Sequence, residues 1–324
     1  MREISYLEAI REALLQEMER DSAVFLMGED IGLYGGAFGV TKGLVQRFGE
    51  ERVRNTPMSE SAITGIAAGC AIGGLRPVLE IMFMDFITLA LDQLANHAAK
   101  FRYLSNGGIT VPMVIRTPAG AGRGYGSTHS QSLESWLISI PGIKIVAPSN
   151  PRDAKGLLVS AIRDKDPVVF VENKLLYGVK GEVPAESYSA SIGKANLLRK
   201  GTDLSIISYS RMAGLSVHAA EELGVSADIV DLRSLKPLDI KTITESVTRT
   251  GRVMIVEEGC ITGGVGAEIS AQIAEHALEY LDAPIMRVGG ADIPIPCAPA
   301  LEKCAVPDKE SIMKKIRDLM QYGS

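Results

Sequence analysis

Short apolar runs alternate with helical patterns along nearly the whole chain, and this alternation restricts the fold more than any other feature. Residues 23–27 (AVFLM) and 168–172 (VVFVE) are typical of strands that are buried on both faces. Residues 6–19 carry apolar side chains at helical spacing with charged residues between them. Strands and helices of these lengths in alternation predict an α/β protein with a mainly parallel sheet.

The alternation weakens once, between about residues 177 and 200, where Gly, Pro, Glu, Ser and Tyr replace the apolar runs. We place the connection between two domains there, with a first domain over residues 1–185 and a smaller second domain over residues 186–324. A length of 324 residues agrees with two domains. The second domain resumes the pattern and ends in a helix with Ile312, Ile316 and Leu319 on one face.

Composition argues against several classes of function. The formal net charge is −5 and the chain has no basic block, so nucleic acid is not an expected partner. We expect no signal peptide and no membrane span, because the most apolar stretch, residues 62–75, is short and broken by glycines. The four cysteines form no Cys-x-x-Cys pair and no metal spacing, so we expect buried, reduced thiols in a cytoplasmic protein.

Glu60 stands near the start of residues 57–69 (PMSESAITGIAAG), whose small and apolar side chains predict a helix. Ser59 or Ser61 can cap this helix, and its glycines allow another backbone or another subunit to pack close. We expect the helix to be buried, where desolvation favours the neutral carboxyl and the helix dipole favours the charged one. A carboxyl in this balance can hold or release a proton near neutral pH. The alternative is an acid that interacts only with the first turn of its own helix.

Two other ionisable residues follow predicted strands. Glu29 comes after the strand 23–27, where open α/β sheets place their ligands, although a carboxylate in a turn is often only solvated. His129 lies in a glycine-rich loop, residues 120–130, and an imidazole suits proton transfer at neutral pH. No Gly-Lys-Ser/Thr follows these glycines, so the loop is not a phosphate-binding P-loop, and we expect it to be mobile. A loop histidine without a role is the alternative.

Gly263, Gly264 and Gly266 follow a predicted strand and suggest a dinucleotide-binding turn. The full Gly-x-Gly-x-x-Gly spacing is missing, and the strand comes late in its domain. Tight turning from strand to helix explains these glycines as well.

Eight segments, in order along the chain, carry a resemblance to a known family. They are 28–32 (GEDIG), 56–60 (TPMSE), 80–86 (EIMFMDF), 92–93 (DQ), 126–132 (GSTHSQS), 161–164 (AIRD), 167–173 (PVVFVEN) and 232–239 (LRSLKPLD). With them the sequence closely resembles the beta subunit of the thiamine diphosphate-dependent decarboxylase component of 2-oxo acid dehydrogenase complexes, which include pyruvate, branched-chain and acetoin types. The resemblance implies an oxidoreductase with a transketolase-like fold, a pyrimidine-binding α/β domain followed by a smaller C-terminal α/β domain.

The resemblance also implies a role for each candidate residue. Glu60 matches the glutamate that hydrogen-bonds the cofactor's aminopyrimidine ring and favours the tautomer that takes the thiazolium proton. Phe86 matches an aromatic ring that packs on the aminopyrimidine, and Glu29 matches an acid near the thiazolium. His129 matches a histidine that assists acyl transfer to a lipoyl group. Some members hold a potassium ion through backbone oxygens of a loop set that matches Met113, Ala161, Ile162, Asp164 and Asp166.

One absence points to a partner. Enzymes with this cofactor hold Mg²⁺ and diphosphate through a Gly-Asp-Gly motif followed by Asn, and this chain contains no Gly-Asp-Gly. Half of the site must therefore come from another chain. The resemblance supplies an alpha subunit in an α₂β₂ heterotetramer, with Mg²⁺ bound mainly by alpha, and a lipoyl-bearing dihydrolipoyl acyltransferase core as the acyl acceptor.

The substrate stays open at this point. A small 2-oxo acid, pyruvate or a branched-chain one, is the main expectation, and acetoin cleavage is the alternative. Pyruvate-type members often carry a more polar residue near Leu89, so an apolar residue there weakens the pyruvate assignment. A non-catalytic scaffold and a nucleotide-binding dehydrogenase are rivals from other classes, and the joint presence of Glu60, Phe86 and His129 argues against the scaffold.

Overall fold

The computed structural model describes residues 1–322, which divide into two compact units. Unit 1 comprises Met1–Ala119 and Ser139–Ile192; unit 2 comprises Gly120–Ile138 and the chain from Gly193 onward. The sequence predicted one boundary, between residues 185 and 186. The structure instead divides the chain between residues 192 and 193, and it groups residues 120–138 with the second unit.

Strands and helices alternate as the sequence pattern predicts. The strands are β1 (Arg2–Ser5), β2 (Val24–Gly28), β3 (Val53–Asn55), β4 (Arg76–Glu80), β5 (Val114–Ala119), β6 (Lys144–Val146), β7 (Val168–Asn173), β8 (Lys180–Val183), β9 (Asn196–Arg199), β10 (Leu204–Ser208), β11 (Ala227–Asp231), β12 (Ser234–Lys236), β13 (Val253–Cys260) and β14 (Met286–Gly290). The α-helices are α1 (Tyr6–Arg20), α2 (Leu44–Phe48), α3 (Glu60–Ile72), α4 (Ile87–Asp92), α5 (Phe101–Leu104), α6 (Glu134–Ile138), α7 (Pro151–Arg163), α8 (Ser210–Glu222), α9 (Ile240–Thr250), α10 (Val265–Ala277), α11 (Pro299–Ala305) and α12 (Lys309–Met320).

In unit 1, six strands form a parallel sheet in the order β6-β7-β5-β4-β2-β3. Every residue of β2, β5 and β7 is buried, which explains their nearly continuous apolar runs. Helices α1 and α7 contribute Leu14 and Leu157 to a core that also contains Phe170 of β7. The ends of these parallel strands position the candidate site.

In unit 2, five strands form a sheet in the order β14-β13-β10-β11-β9, in which only β9 runs antiparallel to its neighbour. Ile206 and Ile229 from the sheet pack in one core with Ile312 and Ile316 of α12. The apolar face predicted for the last helix is therefore buried as expected. Two α/β units with mainly parallel sheets confirm the predicted fold class.

Three local features differ from the sequence prediction. The single helix predicted over residues 88–104 is divided into α4, a π-helical segment (Gln93–Ala98) and α5. Strands β8 and β9 lie in the region that was predicted as a connection. The sequence did not predict these strands, because most of their residues are exposed and they carry no apolar run. Strand β8 pairs with β1, which the sequence analysis also missed.

Three of the four cysteines, Cys260, Cys297 and Cys304, are exposed, and Cys70 is half-buried. The prediction of buried thiols was therefore wrong. Across residues 1–322, the helices are all too short or too polar to traverse a bilayer. A cytoplasmic location stays a prediction.

Candidate active site

Glu29 lies at the carboxyl end of β2, next to the strand β4. A Cβ atom at Gly28 would lie 2.8 Å from the carbonyl oxygen of Glu80, so only glycine allows β2 and β4 to approach here. The turn that follows places the Glu29 side chain in the protein, where it is 6% exposed and its Oε1 has no hydrogen-bond partner. Burial, and then the negative charge of Glu60, raise the pKa of Glu29.

Glu60 is the first residue of α3, and its carboxylate is close enough to Glu29 for the two charges to repel. Ser59 occupies the N-cap position, but its side chain makes no capping hydrogen bond, contrary to the prediction. The hydroxyl of Thr64 donates to the Glu60 carbonyl oxygen at 2.6 Å. Glu60 itself is half-buried, so the structure brings Glu29 and Glu60 together with one carboxyl inside and the other partly open to solvent.

The helix that Glu60 begins is buried on one face only. Its inner face packs Ile63 and Ala67 against the unit, and a Cβ atom at Gly65 would meet the side-chain oxygen of Gln93 at 2.9 Å. On the outer face Ile66 is 56% exposed, and nothing lies within 4 Å of a Cβ atom at Gly69. The prediction of a fully buried helix therefore does not hold within this chain.

Phe86 ends a short 3₁₀ helix (Met84–Phe86) that follows β4. Its half-buried ring stands edge-on to Phe83, with centroids 6.2 Å apart. Phe83 in turn contacts the ring of Phe38 at 5.7 Å and lies beneath the ammonium of Lys174 at 5.1 Å. Neighbouring rings thus limit the orientations that Phe86 can adopt.

A buried charge network lies in the same sheet, and sequence reasoning did not identify it. Arg116 of β5 donates to Glu80 at 2.6 Å and to both carboxylate oxygens of Glu172, at 2.7 and 2.9 Å. The hydroxyl of Tyr177 also donates to Glu172 at 2.7 Å, and its ring lies 5.2 Å from Phe38. The sequence signal that could have indicated this network is a charged residue in each of three mostly apolar strands, β4, β5 and β7.

The residues matched to a potassium loop lie at the end of α7 and beside β5. The guanidinium of Arg76 donates to the carbonyl oxygens of Ile162 (2.9 Å) and Asp164 (3.1 Å), and the Asp164 carboxylate pairs with Lys144 at 2.7 Å. Lys144 also lies 3.4 Å from the carboxylate of Asp166. The carbonyls of Met113 and Ala161 each accept a backbone hydrogen bond, the first from Val168 and the second from Asp164. Among residues 1–322, no group of three or more His, Cys, Asp or Glu side chains is arranged to hold a metal ion.

His129 belongs to unit 2, in the loop between β5 and α6. Its ring is half-buried, and Nδ1 lies 2.9 Å from the hydroxyl of Thr128. A backbone hydrogen bond joins its N–H to the carbonyl of Gly126 at 3.4 Å.

Unit 2 also contains a pair of buried acids that the sequence did not single out. Burial raises the pKa of Glu134 to about 8, and nearby Glu258 and Glu257 add to that shift. Burial likewise raises the pKa of Glu257 to about 7, although the backbone N–H of Gly266 donates to it at 3.0 Å. Cβ atoms at Gly264 and Gly266 would lie within 2.6 Å of the Glu257 carboxylate, so these glycines accommodate an acid at a tight turn.

These acids predict how stability changes with pH. Because the pKa of Glu134 is higher in the folded than in the unfolded chain, its stabilising contribution is complete below about pH 4.5 and disappears as pH rises through about 8. We expect the free energy of unfolding to fall by on the order of a few kcal/mol over that range. Glu134→Gln has a neutral side chain at every pH, so it should reduce this fall in the free energy of unfolding, measured by chemical denaturation. Glu275→Gln, at an exposed position, should leave the fall unchanged. A pH profile unchanged by Glu134→Gln would contradict this assignment.

Comparison with known proteins identifies the class to which this fold and site belong. Residues 2–180 match the transketolase pyrimidine-binding domain, and residues 193–312 match the transketolase C-terminal domain. A solved structure described as a split-gene transketolase, inactive beta4 tetramer, superposes with a TM-score of 0.80 and covers 99% of both chains at 22% identity, which supports the fold alone. The chain is therefore a two-domain protein of the transketolase type.

Two curated relatives define the family more closely. The pyruvate dehydrogenase E1 component subunit beta-2, mitochondrial, of Oryza sativa subsp. japonica is 47% identical over 97% of this chain and 85% of its own length. The 2-oxoisovalerate dehydrogenase subunit beta of Bacillus subtilis (strain 168) is also 47% identical, over 98% of this chain and 99% of its own length. The chain belongs to the family of E1 beta subunits of pyruvate and branched-chain 2-oxo acid dehydrogenases.

Proposed function

We propose that this chain supplies one half of a thiamine diphosphate site in a 2-oxo acid dehydrogenase, where it supports oxidative decarboxylation and acyl transfer to a lipoyl group. The observation that carries the proposal is the buried Glu29 carboxyl at the carboxyl end of a parallel sheet, with Glu60 at the start of α3. Such strand ends are where α/β proteins place ligands. The Glu29 carboxyl lacks a hydrogen-bond partner at one buried oxygen, which favours a ligand that completes it.

The residues present fit part of the cofactor. The half-buried Glu60 carboxyl and Phe86 ring offer a hydrogen-bond acceptor and an apolar surface, as an aminopyrimidine ring requires. The chain offers no Gly-Asp-Gly motif, and residues 1–322 contain no metal-ligating cluster. We therefore assign the ligands of Mg²⁺ and diphosphate to an alpha subunit.

When bound, thiamine diphosphate supplies a nucleophilic thiazolium carbon and a sink for the electrons released with CO₂. The Glu60 carboxyl would hydrogen-bond the aminopyrimidine ring. The Phe86 ring, supported by Phe83, would offer an apolar surface against which the aminopyrimidine ring packs. Glu29 keeps a proton more readily than an exposed glutamate does, because burial and the Glu60 charge raise its pKa.

The outer face of α3 supports the proposed heterotetramer. Ile66 and Ile72 are exposed on this helix, and Leu75 is exposed just after it. Exposed apolar side chains beside small residues are typical of a surface that packs against another subunit. A partner there would bury Glu60 further, which the α₂β₂ arrangement provides.

Reconstitution tests the proposed function. We expect the purified chain alone to be inactive, and we expect 2-oxo acid decarboxylation once the cognate alpha subunit, thiamine diphosphate and Mg²⁺ are added together. Pyruvate, 2-oxoisovalerate and acetoin, compared in one assay, distinguish the substrate classes, and the exposed apolar Leu89 makes 2-oxoisovalerate a necessary member of the panel. Turnover by the chain without its alpha partner would overturn the shared site.

Potassium at the loop after α7 stays a prediction of this proposal. A bound ion would have to share the carbonyls of Ile162 and Asp164 with the Arg76 guanidinium, which a carbonyl oxygen with two lone pairs allows. A midpoint of thermal unfolding that is higher in KCl than in NaCl of equal concentration would support the site, and equal midpoints would count against it.

His129→Ala is expected to separate two steps of the reaction. We expect acyl transfer to lipoamide to fall about 10²-fold or more, since a positioned imidazole contributes roughly that much to proton transfer. Decarboxylation measured with an artificial electron acceptor should fall less. His218→Ala, at an exposed position of α8, is the matched control. Equal losses in both assays would rule out this division of roles.

A further inference from the structure

The loop that carries His129 is a closed and strongly bent segment. The N–H of Gly120 donates to the carbonyl of Gln131 at 3.2 Å, which closes the base of the loop. Every second residue at the start of the loop is a glycine with positive φ, between +68° and +99°. Side chains are disfavoured in this conformation, which explains the spacing of the four glycines. They are Gly120, Gly122, Gly124 and Gly126.

Two buried carboxylates bind the backbone of this loop. Glu302 of α11, 4% exposed, accepts hydrogen bonds from the N–H groups of Gly122 (2.8 Å) and Gly124 (3.1 and 3.2 Å). Glu258 of β13, 8% exposed, accepts one from the N–H of Ala121 at 2.7 Å. Successive N–H groups in alternating conformations form a concave anion-binding surface, and here that surface holds the protein's own carboxylates.

Charge-assisted hydrogen bonds of this kind oppose the large conformational entropy of a glycine-rich segment. The sequence predicted a mobile loop because nothing near these glycines indicates a partner. The partners lie far along the chain, on strand β13 and helix α11 of unit 2. A Cβ atom at Gly124 would also lie 3.1 Å from the carbonyl of Cys297, so the loop packs closely at its tip.

We infer that Glu302 and Glu258 are positioning residues that hold the glycine-rich loop, and with it His129, in the conformation needed for acyl transfer. The role in acyl transfer rests on the proposed function; the attachment of the loop does not. The acids act on the loop through three backbone N–H groups. The glycines provide the bent backbone, and the acids select one of its many conformations.

Hydrogen exchange on the full-length chain tests the attachment without any assay of activity. We expect the amides of Gly122 and Gly124 to exchange about tenfold faster or more in Glu302→Ala than in the unmodified chain, because both lose their acceptor. Glu302→Gln, which keeps one oxygen, should give a smaller increase. Glu258→Gln should accelerate exchange at Ala121 and leave Gly122 protected. Exposed Glu279→Ala is the control, and equal rates in the control and Glu302→Ala would overturn the attachment.

Kinetics of the reconstituted enzyme then test the positioning role. Acyl transfer to lipoamide should fall about tenfold more than decarboxylation in Glu302→Ala, and Glu302→Gln should restore part of it. Faster loop exchange with equal losses in both assays would show that the acids serve stability alone and would overturn the role. If the unmodified assembly does not decarboxylate any 2-oxo acid, the proposed function fails, while hydrogen exchange still decides whether the loop is held. Glu302→Gln, nearly identical in shape, replaces the Ala variant if that one does not fold.

Discussion

Glu60→Gln is expected to lower 2-oxo acid decarboxylation by the reconstituted enzyme about 10²–10⁴-fold. The amide keeps the shape of the side chain but cannot hold and release a proton at the pyrimidine ring. Glu60 is half-buried at the start of α3, so the substitution should leave folding and subunit assembly intact. Steady-state rates with saturating cofactor, combined with the mass of the assembly, separate loss of chemistry from loss of structure.

A matched control uses an exposed acid close by in the sequence. Glu51→Gln removes the same charge outside the site and should retain the full rate. The decarboxylation rate of Glu29→Gln should lie between those two rates, since the Glu29 carboxyl interacts with Glu60 and has a buried oxygen without a hydrogen-bond partner. A Glu60→Gln enzyme with a near-normal rate would exclude the proposed role of this carboxyl.

Arg116→Met is expected to cost about 3–5 kcal/mol in the free energy of unfolding. The guanidinium is fully buried and bonds Glu80 and Glu172, so its loss leaves two carboxylates without their counter-charge. Burial raises the pKa of Glu80, and the positive charge of Arg116 lowers it. Removing that charge would therefore raise the pKa of Glu80 further. Chemical denaturation at pH 7 measures the loss.

The control is an ion pair at the surface. Arg102 pairs with Asp166 at 2.5 Å but is half-exposed, and Arg102→Met should cost no more than about 1 kcal/mol. Replacing Arg116, Glu80 and Glu172 together by apolar residues of similar volume should recover much of the loss, because no uncompensated charge is left inside. Equal costs for Arg102→Met and Arg116→Met would show that the buried network contributes little.

The sequence pattern predicted the architecture well for a local reason. A strand buried on both faces is mostly apolar, and the strands at 24–28 and 168–173 show this in four consecutive apolar residues each, without regard to their neighbours. Edge strands carry no such signal, which is why β8 and β9 were missed. The division of the helix predicted over residues 88–104 is also invisible to helical periodicity, because its three segments of 6, 6 and 4 residues are each too short to show a separate period.

In the candidate site, too, the sequence indicated some features and not others. Glu29, Glu60 and His129 stood out because acids after strands and a histidine in a glycine-rich loop are readable along the chain. The pairing of Glu29 with Glu60 was not readable, since it depends on how β2 and α3 are brought together. Arg116 and its two glutamates were missed, because a charge within an apolar strand has a partner only in three dimensions.

The amino-acid order by itself therefore determined the α/β class, the two-domain plan and the family, and it predicted the residues that we propose carry the chemistry. Each of these follows from residue spacing, side-chain type or a short motif, which are properties of residues close together in the sequence. Only the tertiary structure decided which carboxylates are buried, which are paired, and that the glycine-rich loop is held by Glu258 and Glu302. Burial and pairing depend on contacts between residues that are 36 to 180 positions apart here, and those contacts exist only after the chain has folded.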